Sequence, residues 1–154
     1  MKELTEHCIP LHTNYSDAPL IRFIYNDNEY YALVDTGSEQ TLIDRKFAED
    51  NKLETIKEQD DTVTLHGLSG DSSSPYRHVS LDVDLGVRLP KNYSKFKLFG
   101  LLTDLRVIQT QFDKRTDEGI KVPVLLGSDL LSLMKAKIDF KDGWFKYNND
   151  ISSQ

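Results

Sequence analysis

The chain is predicted to fold as one mainly β domain. Three observations carry this. Short apolar or β-prone runs recur along the whole chain, separated by turn signals such as Asn26-Asp27-Asn28 and Lys141-Asp142-Gly143. Only two short stretches, Arg45 to Asn51 and Asp129 to Ala136, have helical composition. No segment repeats, and 154 residues suffice for one ordinary core.

In chain order, residues 1–18 read as an N-terminal arm or strand, 19–147 as the folded domain and 148–154 as a flexible tail. Leu20 to Tyr25 and Glu29 to Val34 form a hairpin about the Asn26-Asp27-Asn28 turn. Thr41-Leu42-Ile43 is a short strand, followed by one or two helical turns over Arg45 to Asn51. Thr62 to Leu65 and Arg77 to Leu85 are strands joined by His66 to Tyr76, whose glycines and serines predict a long hairpin with Asp71-Ser72-Ser73-Ser74 in its loop. Lys91 to Lys97 reads as an exposed hairpin or loop, Phe99 to Ile108 as a strand and Gln109 to Lys121 as an exposed loop. Val122 to Leu126 is a short buried strand. The helix from Asp129 is capped by Ser128 or Asp129. Ile138 to Phe140 and Trp144 to Tyr147 flank Asp142-Gly143 as the closing hairpin, with Trp144 and Phe145 assigned to the core.

Composition excludes several function classes. The net charge is -6 and no basic patch is present, which argues against nucleic acid as a partner. The single cysteine, Cys8, cannot make an internal disulfide and fits a reducing compartment. No apolar run approaches the roughly 20 residues of a membrane-spanning helix, so no membrane partner is expected. The polar start Met1 to His7 lacks a signal core, so a cytoplasmic location follows if Met1 is the native start. His7, Cys8 and His12 lack a fourth partner at zinc-like spacing and read as arm residues; no metal and no cofactor is expected.

The chemistry concentrates in Ala32-Leu33-Val34-Asp35-Thr36-Gly37-Ser38-Glu39-Gln40-Thr41-Leu42-Ile43. An apolar strand runs into an acid, a small hydroxyl residue and a glycine, and a second apolar stretch follows. Such a pattern puts the Asp35 carboxylate on a tight loop at the end of a buried strand. Gly37 permits close approach of a substrate or second chain, Thr36 holds the loop through hydrogen bonds, and the Ser38 hydroxyl is expected to donate to the Asp35 carboxylate. A bond of that kind to the charged form would lower the pKa of the Asp35 carboxyl.

With Asp35-Thr36-Gly37-Ser38 in this setting, the chain resembles the retroviral-type (retropepsin-like) aspartic proteases. Pro19-Leu20-Ile21, the turn and the strand into Asp35 follow the family's order. Val124-Leu125-Leu126-Gly127-Ser128-Asp129-Leu130-Leu131 resembles its apolar-Gly strand end and short helix. Ile138-Asp139-Phe140 and Trp144-Phe145 resemble its last strands, so the likeness spans about 19–147. The resemblance implies a single-lobe acid-protease β-barrel with one short C-terminal helix and a flap hairpin. It implies an aspartic endopeptidase acting on peptide or protein substrates, with Asp35 catalytic and Thr36, Gly37 and Ser38 supporting the loop. Gly67, Leu68, Ser69 and Gly70 would form the flap tip, between His66 and Asp71, and Glu39 and Leu126 would meet the substrate. Asp129 reads as a hydrogen-bonding structural residue rather than a catalyst.

That mechanism needs two carboxylates, and the chain carries one Asp-Thr-Gly. Asp61, Asp82, Asp84, Asp104 and Asp139 lack the Thr-Gly that follows. The second carboxylate is therefore expected from a second copy, in a homodimer whose two-fold axis passes between the two Asp35 side chains. Contacts between copies are expected from Leu4 to Leu11, the region of Thr36 and the strand near Phe145. Two carboxylates at about 3 Å, in an effective dielectric of about 20, repel by roughly 5 kcal/mol, so the pair holds one proton. The competing reading is a non-catalytic dimerisation or peptide-binding module of the same fold.

Overall fold

The computed structural model describes residues 6–13, 19–65, 72–85, 95–105 and 120–148, with the backbone alone for residues 6, 55–65, 72–77 and 95. Ten strands and two short helices lie on this path: β1 (Glu6–Pro10), β2 (Leu20–Tyr25), β3 (Asn28–Val34), β4 (Leu42–Asp44), α1 (Arg45–Asp50), β5 (Thr55–Leu65), β6 (Ser72–Asp84), β7 (Lys95–Thr103), β8 (Val124–Leu126), α2 (Ser128–Leu133), β9 (Lys137–Asp139) and β10 (Trp144–Asn148).

The larger sheet runs β2-β3-β8-β4-β7-β6-β5, and β6 also meets β2 through the pair Ile24↔Asp84. Six strands thereby close into a barrel, and β5 continues outward as the partner arm of β6. β3 and β8 are parallel, as are β4 and β7, while β4 and β8 are antiparallel. This interior placement explains the unbroken apolar runs at Ala32-Leu33-Val34 and Val124-Leu125-Leu126: these strands are buried on both faces. Ala32, Val34, Val124 and Leu126 face one cluster with Phe23, Tyr30 and Phe47. Leu33 and Leu125 face a second, with Leu20, Leu42, Leu101, Leu105 and Val122.

The β2–β3 turn puts Asn26 at φ 49 and Asp27 at φ 61, the left-handed pair that a two-residue hairpin requires and that Asn and Asp tolerate. At α1, one oxygen of Asp44 accepts from the amide of Phe47 at 3.3 Å and caps the helix. Its other oxygen accepts from the amide of Leu105 at 3.0 Å, tying the end of β7 to the helix start. The terminal strands form a second sheet, β1-β10-β9, with Glu6 opposite Asn148 and Ile9 opposite Phe145. Glu6–Pro10, within the stretch Leu4 to Leu11 expected to reach another copy, pairs here with β10 of the same chain.

Several boundaries differ from expectation. β7 begins at Lys95 and ends at Thr103, so Lys95 to Lys97 lie in a strand rather than a loop, and the strand stops short of Ile108. Its antiparallel register with β6 runs from His78↔Leu101 through Asp82↔Lys97 to Asp84↔Lys95. Ser72 to Ser74 belong to β6, and β5 begins at Thr55, seven residues before the expected start at Thr62. Trp144 is 40% exposed while Phe145 is fully buried, because Phe145 and Tyr147 take the inward positions of β10. At α2 the cap is Gly127, with no side-chain cap bond, instead of Ser128 or Asp129. The expected loop over 109–121 lies largely outside the described residues.

Candidate active site

β3 delivers Asp35 to a loop that returns into β4 at Leu42. Its start is fixed by the amide of Val34 donating to Pro19 O and that of Asp35 donating to Leu126 O, both at 2.9 Å. The Asp35 side chain is half-buried, and its Oδ1 accepts the amide of Gly37 at 3.0 Å. Ser38 N donates to Asp35 O at 3.2 Å and closes the turn. Thr36 and Gly37 stand exposed at the apex beside the carboxylate. The acid is thus held by backbone groups at its amide, its carbonyl and its Oδ1.

The Ser38 hydroxyl does not serve Asp35. It donates to Gln40 O at 2.8 Å, and Ser38 is 6% exposed. A hydroxyl bonding the carbonyl two residues on is a local turn geometry that competes with more distant acceptors. The Ser38 backbone ties the loop to α2: its carbonyl accepts the amide of Ser128 at 2.7 Å.

Close approach of the loop to Leu126-Gly127-Ser128 is possible because residue 127 has no side chain. A Cβ there would lie 2.5 Å from Gln40 C and O and 2.9 Å from Ser38 O. Gly100 does the same from the other side, where a Cβ would lie 2.6 Å from Thr41 O. Leu126 departs from expectation. Its side chain is 1% exposed and packs in the core, so its contribution to the site is the carbonyl that holds Asp35. Glu39 is exposed on the loop. The expected flap residues Gly67, Leu68, Ser69 and Gly70 lie outside the described residues, while β5 and β6 bracket them through the pair Leu65↔Ser72.

Two residues that were not assigned to the site are central to it. Thr41, fully buried, donates from its amide to Asp129 Oδ2 at 3.1 Å and from its hydroxyl to Asp129 Oδ1 at 2.7 Å. The hydroxyl accepts from the amide of Gly127 at 3.0 Å. Asp129 is thus a structural acceptor, as its sequence context indicates, but across elements. Its separation of 88 positions from Thr41 hides the pairing from any local pattern; the sole clue was an acid directly after an apolar-Gly-Ser strand end.

The N-terminal His and Cys residues do not converge. His7 is buried, with its ring 5.4 Å from that of Tyr147, whereas the neighbouring Cys8 is exposed. His12 packs edge-on against Tyr31 at 5.3 Å. Among the described residues, no three His, Cys, Asp or Glu side chains group as a metal cage would. No helix there is long and apolar enough to cross a membrane.

The sequence profile of the aspartyl protease family matches residues 21–130. No curated protein matches the chain. Among solved structures, the retroviral protease-like domain of Ddi1 from Leishmania major aligns at a TM-score of 0.53 and 14% identity, over 86% of this chain and 88% of that one. That likeness shows a common fold. The retropepsin-like aspartic protease from Rickettsia conorii aligns at 0.47 and 17% identity, over 96% and 95% of the two chains. The EIAV protease, solved with the inhibitor HBY-793, aligns at 0.44 and 17% identity, over 84% of this chain and 99% of that one.

Proposed function

The chain belongs to the aspartyl protease family, and from that premise we propose that it is an endopeptidase whose catalytic dyad is two Asp35 side chains, one from each of two copies. The observation that carries this reading is the placement of Asp35: a half-buried carboxylate beside the exposed loop tip Thr36-Gly37, braced at its own amide by Leu126 O and at its own Oδ1 by the Gly37 amide. Both oxygens of Asp129 are engaged by Thr41, which argues against Asp129 as the second acid.

In the pair, mutual repulsion leaves one proton shared between the two carboxyls. The ionised member takes a proton from a bound water as its oxygen attacks the scissile carbonyl carbon. The protonated member gives its proton to the carbonyl oxygen. On collapse, one hydroxyl of the tetrahedral gem-diol passes its proton to the carboxylate now ionised, the other carboxyl gives its proton to the amide nitrogen, and the C–N bond breaks, so the acid and the amine leave with the dyad again holding one proton. Exposed Thr36 and Gly37 leave room for the second loop to approach. The hairpin of β5 and β6 is suited to cover a bound peptide and exclude water.

The test is cleavage of a mixed peptide library between pH 3 and 7 by the wild-type chain and by Asp35→Asn, with sedimentation on both. Cleavage by the wild type alone, with both proteins dimeric or both dimerising on substrate, is the expected result. Turnover by Asp35→Asn, or a strict monomer cleaving at a rate independent of dilution, sinks the reading. Peptide binding without cleavage would favour the non-catalytic module.

A further inference from the structure

We propose that Asp129 is a positioning residue for the Asp35 loop, acting through Thr41. The role rests on the endopeptidase reading for its kinetic consequence, but its structural half stands alone. Three of the loop's anchor points lie on one short stretch. The start of the loop meets Leu126 through the Asp35 amide, its middle meets Ser128 through Ser38 O, and its far end meets Gly127 and Asp129 through Thr41. The first two are backbone bonds that any residue supplies. The third depends on side chains.

Thr41 is a fully buried node at which every polar group is in use. Its amide and hydroxyl both go to the Asp129 carboxylate, its hydroxyl oxygen also takes the Gly127 amide, and its carbonyl takes the Leu101 amide at 3.0 Å. A carboxylate with both oxygens on one residue fixes two directions at once and resists rotation of that residue. This is not helix capping, because the cap position is Gly127, which has no side chain to offer. Without the carboxylate, the Thr41 amide and hydroxyl would lose their acceptor in a site closed to water, a state proteins avoid. The far end of the loop would come away from α2. Asp35, only six positions back and anchored by backbone alone, would lose its fixed orientation, and with it the alignment on which general acid–base transfer depends.

The experiment uses the full chain with Asp129→Ala, Asp129→Asn, Thr41→Val and the Thr41→Val/Asp129→Ala pair. Amide hydrogen exchange of residues 35–41 is compared with that of β2 and β7, and kcat and KM are measured on a peptide that the wild type cleaves. In Asp129→Ala, exchange in the loop should rise about tenfold or more above any rise in β2 and β7, from one orphaned buried pair. The kcat should fall about tenfold or more, with KM within about threefold. Asp129→Asn keeps an acceptor for the Thr41 amide but none for its hydroxyl proton, so both readouts should fall between the wild type and the alanine variant. The double variant should be no worse than the worse single one. Loop exchange that is unchanged, or that rises equally throughout the chain, overturns the proposal, as does a loss confined to KM or no recovery in Asp129→Asn. Should Asp129→Ala fail to fold, Asp129→Asn and Thr41→Val decide by the same criteria. A wild type that cleaves no peptide removes the endopeptidase reading alone, and the exchange comparison still decides the positioning role.

Discussion

Replacing Gly127 with alanine isolates the contact on which the Asp35 loop rests. The backbone at residue 127 is extended, with φ -94 and ψ 177, so alanine meets no conformational penalty there. The cost is steric. The new methyl would sit 2.5 Å from Gln40 C and O and 2.9 Å from Ser38 O, all backbone atoms that cannot rotate aside. Normal carbon contacts are about 3.5–4.0 Å, so the loop must retreat by roughly 1 Å. Overpacking of this kind costs about 1–3 kcal/mol. The same retreat stretches the bonds from Ser128 N to Ser38 O and from Gly127 N to Thr41 Oγ1, each contributing about 1 kcal/mol. A loss of about 3 kcal/mol in a chain of this size lowers Tm by about 6–12 °C. Gly143→Ala is the matched control with opposite physics: φ is +75 and a Cβ would meet nothing within 4 Å. It should cost about 1 kcal/mol of backbone strain, a Tm loss of about 2–4 °C, and leave the Asp35 loop untouched. Differential scanning calorimetry measures both. A Gly127→Ala Tm within about 2 °C of wild type, or Gly143→Ala the more damaged of the two, refutes the reasoning.

Ser38→Ala removes the bond to Gln40 O and should cost about 1 kcal/mol in chemical denaturation, while the pH limbs of kcat/KM stay in place because the hydroxyl does not reach Asp35; limbs moving upward would restore the bond expected from sequence. Burial, and then the neighbouring Arg22, hold the His12 imidazole below its usual value, with Glu29 opposing. The unfolded chain therefore binds more protons as pH falls from about 6.5, so this stability is complete above that pH and is lost downward through the folded value. Urea midpoints of His12→Gln should show a flatter acid limb than wild type, and parallel curves would contradict the assignment. Burial chiefly, then the charges of Asp84 and Cys8, push the Tyr147 phenol up, and its hydroxyl has no hydrogen-bond partner among the described residues. Its contribution is present below about pH 10 and lost as pH rises. Tyr147→Phe should be neutral or stabilising by up to about 1 kcal/mol at pH 7 and should resist alkali better; a clear destabilisation at pH 7 would reveal a bond to that hydroxyl.

Local signals were legible in the sequence where a single segment carries them. The β2–β3 hairpin announces itself through Asn26-Asp27, and Asp35 through an apolar strand that ends in Asp-Thr-Gly. The double-sided burial of β3 and β8 appears as unbroken apolar runs. Strands whose identity comes from a partner were not legible in this way. Lys95 to Lys97 and Thr55 to Lys57 pair in register with β6, a partnership that their own charged or mixed composition does not announce, and the β5 register shifts between Lys57 and Thr62. Around Asp35, the bracing of the loop was not legible. Nothing near Thr41 points to an acceptor 88 positions away. The misreading of Ser38 has a local cause, since its nearest acceptor lay forward at Gln40 O rather than back at the carboxylate. At Leu126, strand alternation turns the side chain into the core and leaves the carbonyl to accept the Asp35 amide.

The pairing of Glu6 with Asn148 has a consequence for the order of events during synthesis. A ribosome releases β1 before any other strand described here, and its partner β10 after all of them. Throughout elongation β1 is an edge without a neighbour, carrying Ile9, which is 3% exposed in the finished fold. The barrel strands can pair while β1 waits, since their ring does not include it. The terminal sheet is then the last to assemble, and the nascent chain is most vulnerable to association through β1 until Trp144 to Asn148 emerge.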